Sequence, residues 1–206
     1  NKFFINSKLN FAENLLAKHD NSKAITFISE NGFREVRSWK NLNINTNRLI
    51  NFFKKNKIKE KDRIAAYMPN LIETVECFLA TSSIGAIWSS CSPDFGIPGL
   101  IERFSQIRPK ILIISDRYYY NGKEINILER LPKILKKIKS IKVVLIVNYP
   151  GKKYLKIKKI GNINIFLLRD IEKIKGNKID FKKYDFDHDQ CRRVGAVHVC
   201  RYRQSE

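Results

Sequence analysis

Four short apolar runs limit the possible folds more than any other feature of this sequence. They are RIAAYMP (63–69), AIWSSCS (86–92), KILIISD (110–116) and KVVLIVN (142–148). Each is bounded by turn residues, Pro or charge, and in all but the serine-rich AIWSSCS the apolar residues run on without alternating with polar ones. A strand with one wet face alternates, whereas a strand covered on both faces does not, so these runs belong to a parallel sheet between helices. The intervening segments fit. Residues 71–84 (LIETVECFLATSSI) read as a largely buried helix closed near Gly85, and Pro98 opens a helix through Gln106. Residues 124–139 are expected to form a basic helix, and NINIFLLRD (162–170) is a candidate for one more strand. The fold class is therefore α/β, a partial doubly wound parallel sheet with helices on both faces.

A small antiparallel hairpin is expected ahead of this layer. KAITFISEN (23–31) and FREVRSW (33–39) flank Gly32, and Asn-Gly tolerates the positive φ of a tight turn. Ser38 is placed to cap a helix running to about Lys55, with Trp39, Leu42, Leu49, Phe52 and Phe53 at helical spacing. The expected organisation is an N-terminal segment over 1–60, an α/β part over 61–189 and a tail over 190–206. Residues 149–161 read as a surface segment.

The formal net charge of +20 suggests polyanions first. Residues 123–183 carry 18 Lys and Arg against 5 Asp and Glu. Yet the excess is mostly Lys and accompanies 29 Ile and 19 Asn throughout, the signature of a biased genome filling permissive surface positions. A nucleic-acid groove interleaves Arg with exposed aromatics. A basic, non-enzymatic module binding nucleic acid or anionic membrane through 123–183 is thus the alternative reading, and no specific nucleic-acid partner is expected. The segment 129–142 (ERLPKILKKIKSIK) suits a covering helix with a Lys-rich outer face better than a membrane-surface helix. No apolar run approaches the roughly 20 residues of a membrane span, and the opening residues do not read as a secretory signal. Four cysteines without such a signal do not suggest disulfides, and a cytoplasmic location is expected.

Longer strings carry a resemblance. LNFAENLL (9–16), DRIAAYMPNLIETVECFLATSSIGAIWSSCSPDFG (62–96) and RFSQIRPKILIISDRYYYNGKE (103–124) resemble the acetoacetyl-CoA synthetases, a branch of the AMP-forming acyl-CoA synthetases in the adenylating superfamily. The similarity runs in order over about residues 3–189, as an N-terminal fragment would. It implies a ligase that joins a short acid, acetoacetate or similar, to coenzyme A at the expense of ATP, giving acetoacetyl-CoA, AMP and pyrophosphate. ATP, coenzyme A and Mg²⁺ are the cofactors implied.

That chemistry needs a Gly/Ser/Thr-rich loop whose amides cradle the triphosphate beside a Lys, of the form SSGTTGxPK. In this family it follows soon after an FDH string. Here Phe186, Asp187 and His188 are followed by DQCRRVGAVHVCRYRQSE, and no such loop occurs in the chain. SSCSPDFG lacks the spacing and the Lys and reads as structural. The tail also changes in composition, because 190–206 contains no Lys, Ile or Asn although these make up 75 of the 206 residues. A shifted reading frame after His188 is the expected cause. His188, Cys191, His198 and Cys200 are zinc-binding types, but their HxxC and HxC spacings match no common finger, and no metal site is expected. The chain by itself is expected to be inactive, with no catalytic residue of its own.

One binding patch remains. In related acetyl-CoA synthetases a short loop after the strand equivalent to KILIISD meets coenzyme A through two Arg. By resemblance that loop is YYYNGKE here, with Tyr120 on the first basic position and Lys123 on the second. Asn121 and Gly122 shape the turn. Lys123 either meets a phosphate of coenzyme A as a point charge or is one more solvated Lys.

Overall fold

The structure, a computed structural model, describes residues 7–155, 160–171, 173–174 and 179–185. FDH at 186–188, the four zinc-type residues from His188 onward and the tail lie outside the described residues. In chain order, strand β1 (Lys8–Leu9) and helix α1 (Phe11–Leu15) precede a hairpin of β2 (Lys23–Ile28) and β3 (Arg34–Ser38). The hairpin loop over 29–33 places Gly32 at φ 78, the conformation Gly adopts without steric cost. Helix α2 (Trp39–Lys55) begins where Ser38 Oγ accepts from the Asn41 amide at 3.2 Å, and it buries Leu42, Leu49, Phe52 and Phe53.

The layer follows as β4 (Arg63–Tyr67), α3 (Ile72–Ser83), β5 (Ile87–Cys91), α4 (Ile97–Ile107) and β6 (Ile111–Ser115). The chain then departs from the expected long basic helix. Residues 117–126 form a second hairpin, β7 (Arg117–Tyr120) and β8 (Lys123–Asn126). Its turn has Asn121 at φ 50 and Gly122 at φ 72, both positive as a type I′ turn requires. Helix α5 is limited to Leu131–Lys137, with Pro132 in its first turn. Asn-Gly and Pro132 are the physical reasons the 124–139 helix is shorter than expected. Strand β9 (Val143–Val147), β10 (Asn164–Leu167), α6 (Leu168–Ile171) and β11 (Tyr184–Asp185) complete the chain, and β11 pairs antiparallel with β1.

Five strands form one parallel sheet in the order β10-β9-β6-β4-β5. Renumbered from its first strand this is the 5-4-3-1-2 order of a doubly wound sheet, whose crossovers change direction between β4 and β6. One face carries α2 against α3, and the other carries α4 against α5. The apolar runs of β4, β6 and β9 are buried on both faces, whereas β5 at the edge of the sheet is half-buried from Ile87 to Ser90. Each such side chain contributes roughly 1.5–3 kcal/mol of transfer free energy.

The first hairpin is fastened to α3 by charge. Arg37 on β3 lies 3.1 Å from Glu73, 2.9 Å from Glu76 and 3.1 Å from Glu35. This pins the inner face of the hairpin to the layer and leaves Thr26–Glu30 standing beside the carboxyl ends of the strands. No helix among the described residues is long and apolar enough to cross a membrane.

Candidate functional site

Ligands of open α/β sheets bind outside the carboxyl ends of the strands, where the winding reverses. A cavity of about 750 Å³ occupies that position here. Met68–Leu71 follow β4 at its floor, and Ser90–Phe95 follow β5 on one side. Tyr118–Tyr120 of β7 and Tyr149 beyond β9 form an aromatic wall, faced by Phe27 and Ile28 of the first hairpin. The Tyr119 and Tyr149 ring centroids are 5.1 Å apart, and Phe27 meets Tyr149 edge-on at 6.3 Å. Lys152 stands 5.4 Å over the Tyr119 ring.

Two polar clusters hold the walls. Asp116, fully buried at the end of β6, accepts from the Tyr149 amide at 2.8 Å and pairs with the buried Arg117 guanidinium at 3.2 Å. Arg117 also donates to Glu124 at 2.8 Å and to the Lys153 carbonyl at 2.6 Å. One acid–base pair thereby fixes β7, β8 and the segment after β9 to the sheet. On the other side, the Tyr67 hydroxyl, at the floor, contacts the Pro93 and Phe95 carbonyls at 3.0 and 2.9 Å. Arg130 donates to the same hydroxyl and to the Pro93 carbonyl. The Ser92 hydroxyl donates to Asp94 at 2.7 Å. SSCSPDFG is thus held from below by side chains, as a wall should be, and its Asp94 and Phe95 amides bond back to Ser92.

Burial pushes the Cys91 thiol up to about 11 and raises the Tyr118 and Tyr149 phenols. At neutral pH these groups are uncharged, so the wall offers aromatic faces and hydroxyl donors rather than a nucleophile. Such a lining suits flat or apolar groups, and the acidic side chains of Glu30 and Asp94 in it are unfavourable neighbours for a phosphate.

The expected patch sits at the mouth. Tyr120 is 59% exposed and lines the cavity. The Gly122 amide lies 3.4 Å from the Glu30 carboxylate, which lines the cavity across from it. Lys123 is exposed and pairs with Tyr120 across the hairpin, so the two share one face of the ribbon. Of the four residues of this turn, Tyr120 alone lines the cavity, and Asn121, Gly122 and Lys123 lie outside the lining. Trp88 packs on Phe78 at 6.0 Å, and Phe95 lies under Arg103 at 4.7 Å. His19 borders a separate hollow beside α1 and α2. Among the described residues no three His, Cys, Asp or Glu side chains converge on a metal position. The Mg²⁺ implied by the resemblance therefore has no fitting ligand set among them. Sequence reasoning did not anticipate Phe27, Tyr118 or Tyr149. The run of three tyrosines was the available signal, and in the folded chain all three line the cavity.

A family model described as "AMP-binding enzyme" matches residues 12–164. Acetoacetyl-CoA synthetase of Gallus gallus is 38% identical over 193 residues, covering 91% of this chain and 29% of that protein. Acetoacetyl-coenzyme A synthetase of Rhizobium meliloti (strain 1021) is 43% identical over 150 residues, covering 73% of this chain and 23% of that protein. The solved acetoacetyl-CoA synthetase from Streptomyces lividans superposes with a TM-score of 0.80 at 24% identity, over 91% of this chain and 28% of that one. This chain spans less than a third of the relatives' length.

Proposed function

Because the chain belongs to the AMP-binding enzyme family, we propose that it forms the amino-terminal part of an ATP-dependent acid–CoA ligase, with acetoacetate as the acid. In the whole enzyme a carboxylate oxygen attacks the α-phosphorus of ATP, the bond to pyrophosphate breaks, and an acyl-adenylate forms. The thiol sulfur of coenzyme A then attacks the acyl carbonyl carbon, AMP leaves with the bonding electron pair, and the thiol proton passes to solvent. The residues described here bind and orient. The aromatic wall receives an uncharged portion of a substrate, and the Tyr120–Lys123 turn meets coenzyme A, Lys123 acting on a phosphate as a point charge.

The observation that carries this reading is the position of the turn, at the mouth of the cavity outside the carboxyl ends of a doubly wound sheet. The phosphate-cradling loop is absent from these 206 residues, so the chain alone makes no adenylate. Two measurements test the two halves. Acetoacetate-dependent exchange of pyrophosphate into ATP is expected to be absent for this chain, and measurable exchange refutes the first half. Titration with coenzyme A, followed by amide chemical shifts, is expected to move the resonances of 118–124. Lys123→Ala should weaken binding about tenfold, the loss of one charge-assisted contact. Unchanged affinity in Lys123→Ala refutes the second half.

A further inference from the structure

The opposite edge of the sheet carries a second concavity, of about 400 Å³, where β4, β6 and β9 begin. Its floor is apolar, from Ile58, Ile111 and Val143, and five cationic side chains line it: Lys57, Arg63, Arg108, Lys110 and Lys142. No acidic side chain among the described residues lines it. Three of the five have protein partners. Arg63 donates to the Ile107 and Arg108 carbonyls at 2.8 and 3.2 Å, Lys110 pairs with Asp62 at 2.7 Å, and Lys142 donates to the Lys139 carbonyl at 3.2 Å. The side chains of Lys57 and Arg108 have no hydrogen-bond or ion-pair partner among the described residues. The Ser140 hydroxyl, at the same wall, is covered and without a partner among them.

Lys61 also has a positive φ, at 64, but lies outside the lining, so what sets Lys57 and Arg108 apart from the general excess of lysine is positive φ together with a place on one concavity. They stand at φ 57 and φ 47, in the left-handed region, each just past the end of a helix. Gly or Asn occupies such a position at least cost, and a long L side chain there costs about 1 kcal/mol or more. A compositional drift toward Lys explains exposed positions that tolerate anything, but it does not explain cations at two strained caps facing one concavity. The apolar floor and small volume suit a compact anion better than an extended chain, which needs a continuous groove.

We propose that this concavity binds a compact phosphoryl-bearing anion, held between Lys57, Arg108 and Lys142 with Ser140 as a neutral donor. The site lies across the sheet from the coenzyme A turn and is independent of the function proposed above. Inorganic pyrophosphate and tripolyphosphate are the probes, titrated calorimetrically into the full 206-residue chain near 0.15 M salt. Saturable one-site binding below about 1 mM is expected, with triphosphate the tighter ligand. Lys57→Asn and Arg108→Asn remove the charge while keeping a residue that tolerates positive φ, so both variants should melt no lower than the parent and bind about tenfold more weakly. Lys133→Gln and Lys136→Gln, exposed on α5 and not lining the concavity, should bind as the parent does. The proposal is overturned if no saturable binding occurs, or if the α5 variants lose as much affinity as the cap variants. Competition by single-stranded oligonucleotide at equal phosphate concentration, undiminished in Lys57→Asn, would mean a diffuse polyanion surface and overturns it equally.

Discussion

Glu76 gives the sharpest test of the fold's electrostatics. Its side chain is 2% exposed inside α3, where it meets Arg37 at 2.9 Å and accepts from Asn45 Nδ2 at 2.9 Å. Burial pushes its carboxyl up to about 7, opposed by the Arg37 charge and reinforced by Glu73. An acid raised in the folded state and ordinary in the unfolded state makes stability fall as pH rises. Below about pH 4.5 both states hold the proton and the group is neutral in its effect. Between about 4.5 and 7 the unfolded chain ionises while the fold retains the proton, and above 7 the loss is complete. A gap of about 2.5 pH units corresponds to roughly 3 kcal/mol. Glu76→Gln keeps the shape and an acceptor for Asn45 but does not titrate. The stability of the parent minus that of Glu76→Gln should therefore drop by about 2–3 kcal/mol between pH 5 and pH 8, a shift of roughly 4–12 °C in the difference between their melting temperatures. Thermal melts by circular dichroism at half-unit pH steps measure it. A difference that stays flat from pH 5 to 8 would refute the reasoning, since it means Glu76 has one charge state throughout.

Gly85 sits at φ 70 and a Cβ there would lie 2.4 Å from the Tyr184 ring, so Gly85→Ala should cost about 2 kcal/mol or more by urea unfolding, and Gly85→Ala combined with Tyr184→Ala should recover the steric part of that cost. Asp116→Ala leaves the buried Arg117 guanidinium with Glu124 and the Lys153 carbonyl but strands the Tyr149 amide, and should cost about 2–3 kcal/mol, whereas a loss below 1 kcal/mol would show that Asp116 is not holding the wall. Tyr67→Phe should cost about 1–2 kcal/mol and speed hydrogen exchange at the Phe95 amide, with exchange elsewhere in the sheet unchanged relative to global stability.

The layer was legible because its signal is local. Runs such as KILIISD and KVVLIVN declare double-sided burial residue by residue, and Ser38 and Gly32 mark the ends of their elements by their own backbone chemistry. The second hairpin was misread where two local signals compete. ERLPKILKKIK has helical period, and it does form a helix over Leu131–Lys137. The Asn121-Gly122 turn ahead of it overrides that period from 123 to 126, because two residues with positive φ reverse the chain. What the sequence does not spell out is convergence. Phe27 and Tyr149 are far apart in the chain and meet at 6.3 Å only because Asp116 holds the amide of Tyr149 and Arg37 fastens the opposite hairpin. Likewise Lys57 and Arg108 are unremarkable among 27 lysines and 13 arginines until φ and the shared concavity are known.

The two concavities differ in charge for a reason that lies in the winding. Every crossover of a parallel sheet starts its helix at the carboxyl edge and ends it at the amino edge, so partial positive charge gathers at one edge and partial negative at the other. The carboxyl-edge cavity, beside the start of α3, is lined by Glu30 and Asp94 and by neutral phenols, with its lysines kept outside the lining. The amino edge, beside the ends of α2 and α4, collects Lys57, Arg63, Arg108, Lys110 and Lys142. Carbonyls at the helix ends take up part of that charge, as the bonds from Arg63 to Ile107 and Arg108 show. They cannot take up all of it, because a helix end presents about half an elementary charge and screens within a turn. Five cations against two helix ends and one Asp62 leave a surplus of about three positive charges, and that surplus sits on the residues at and beside the strained caps.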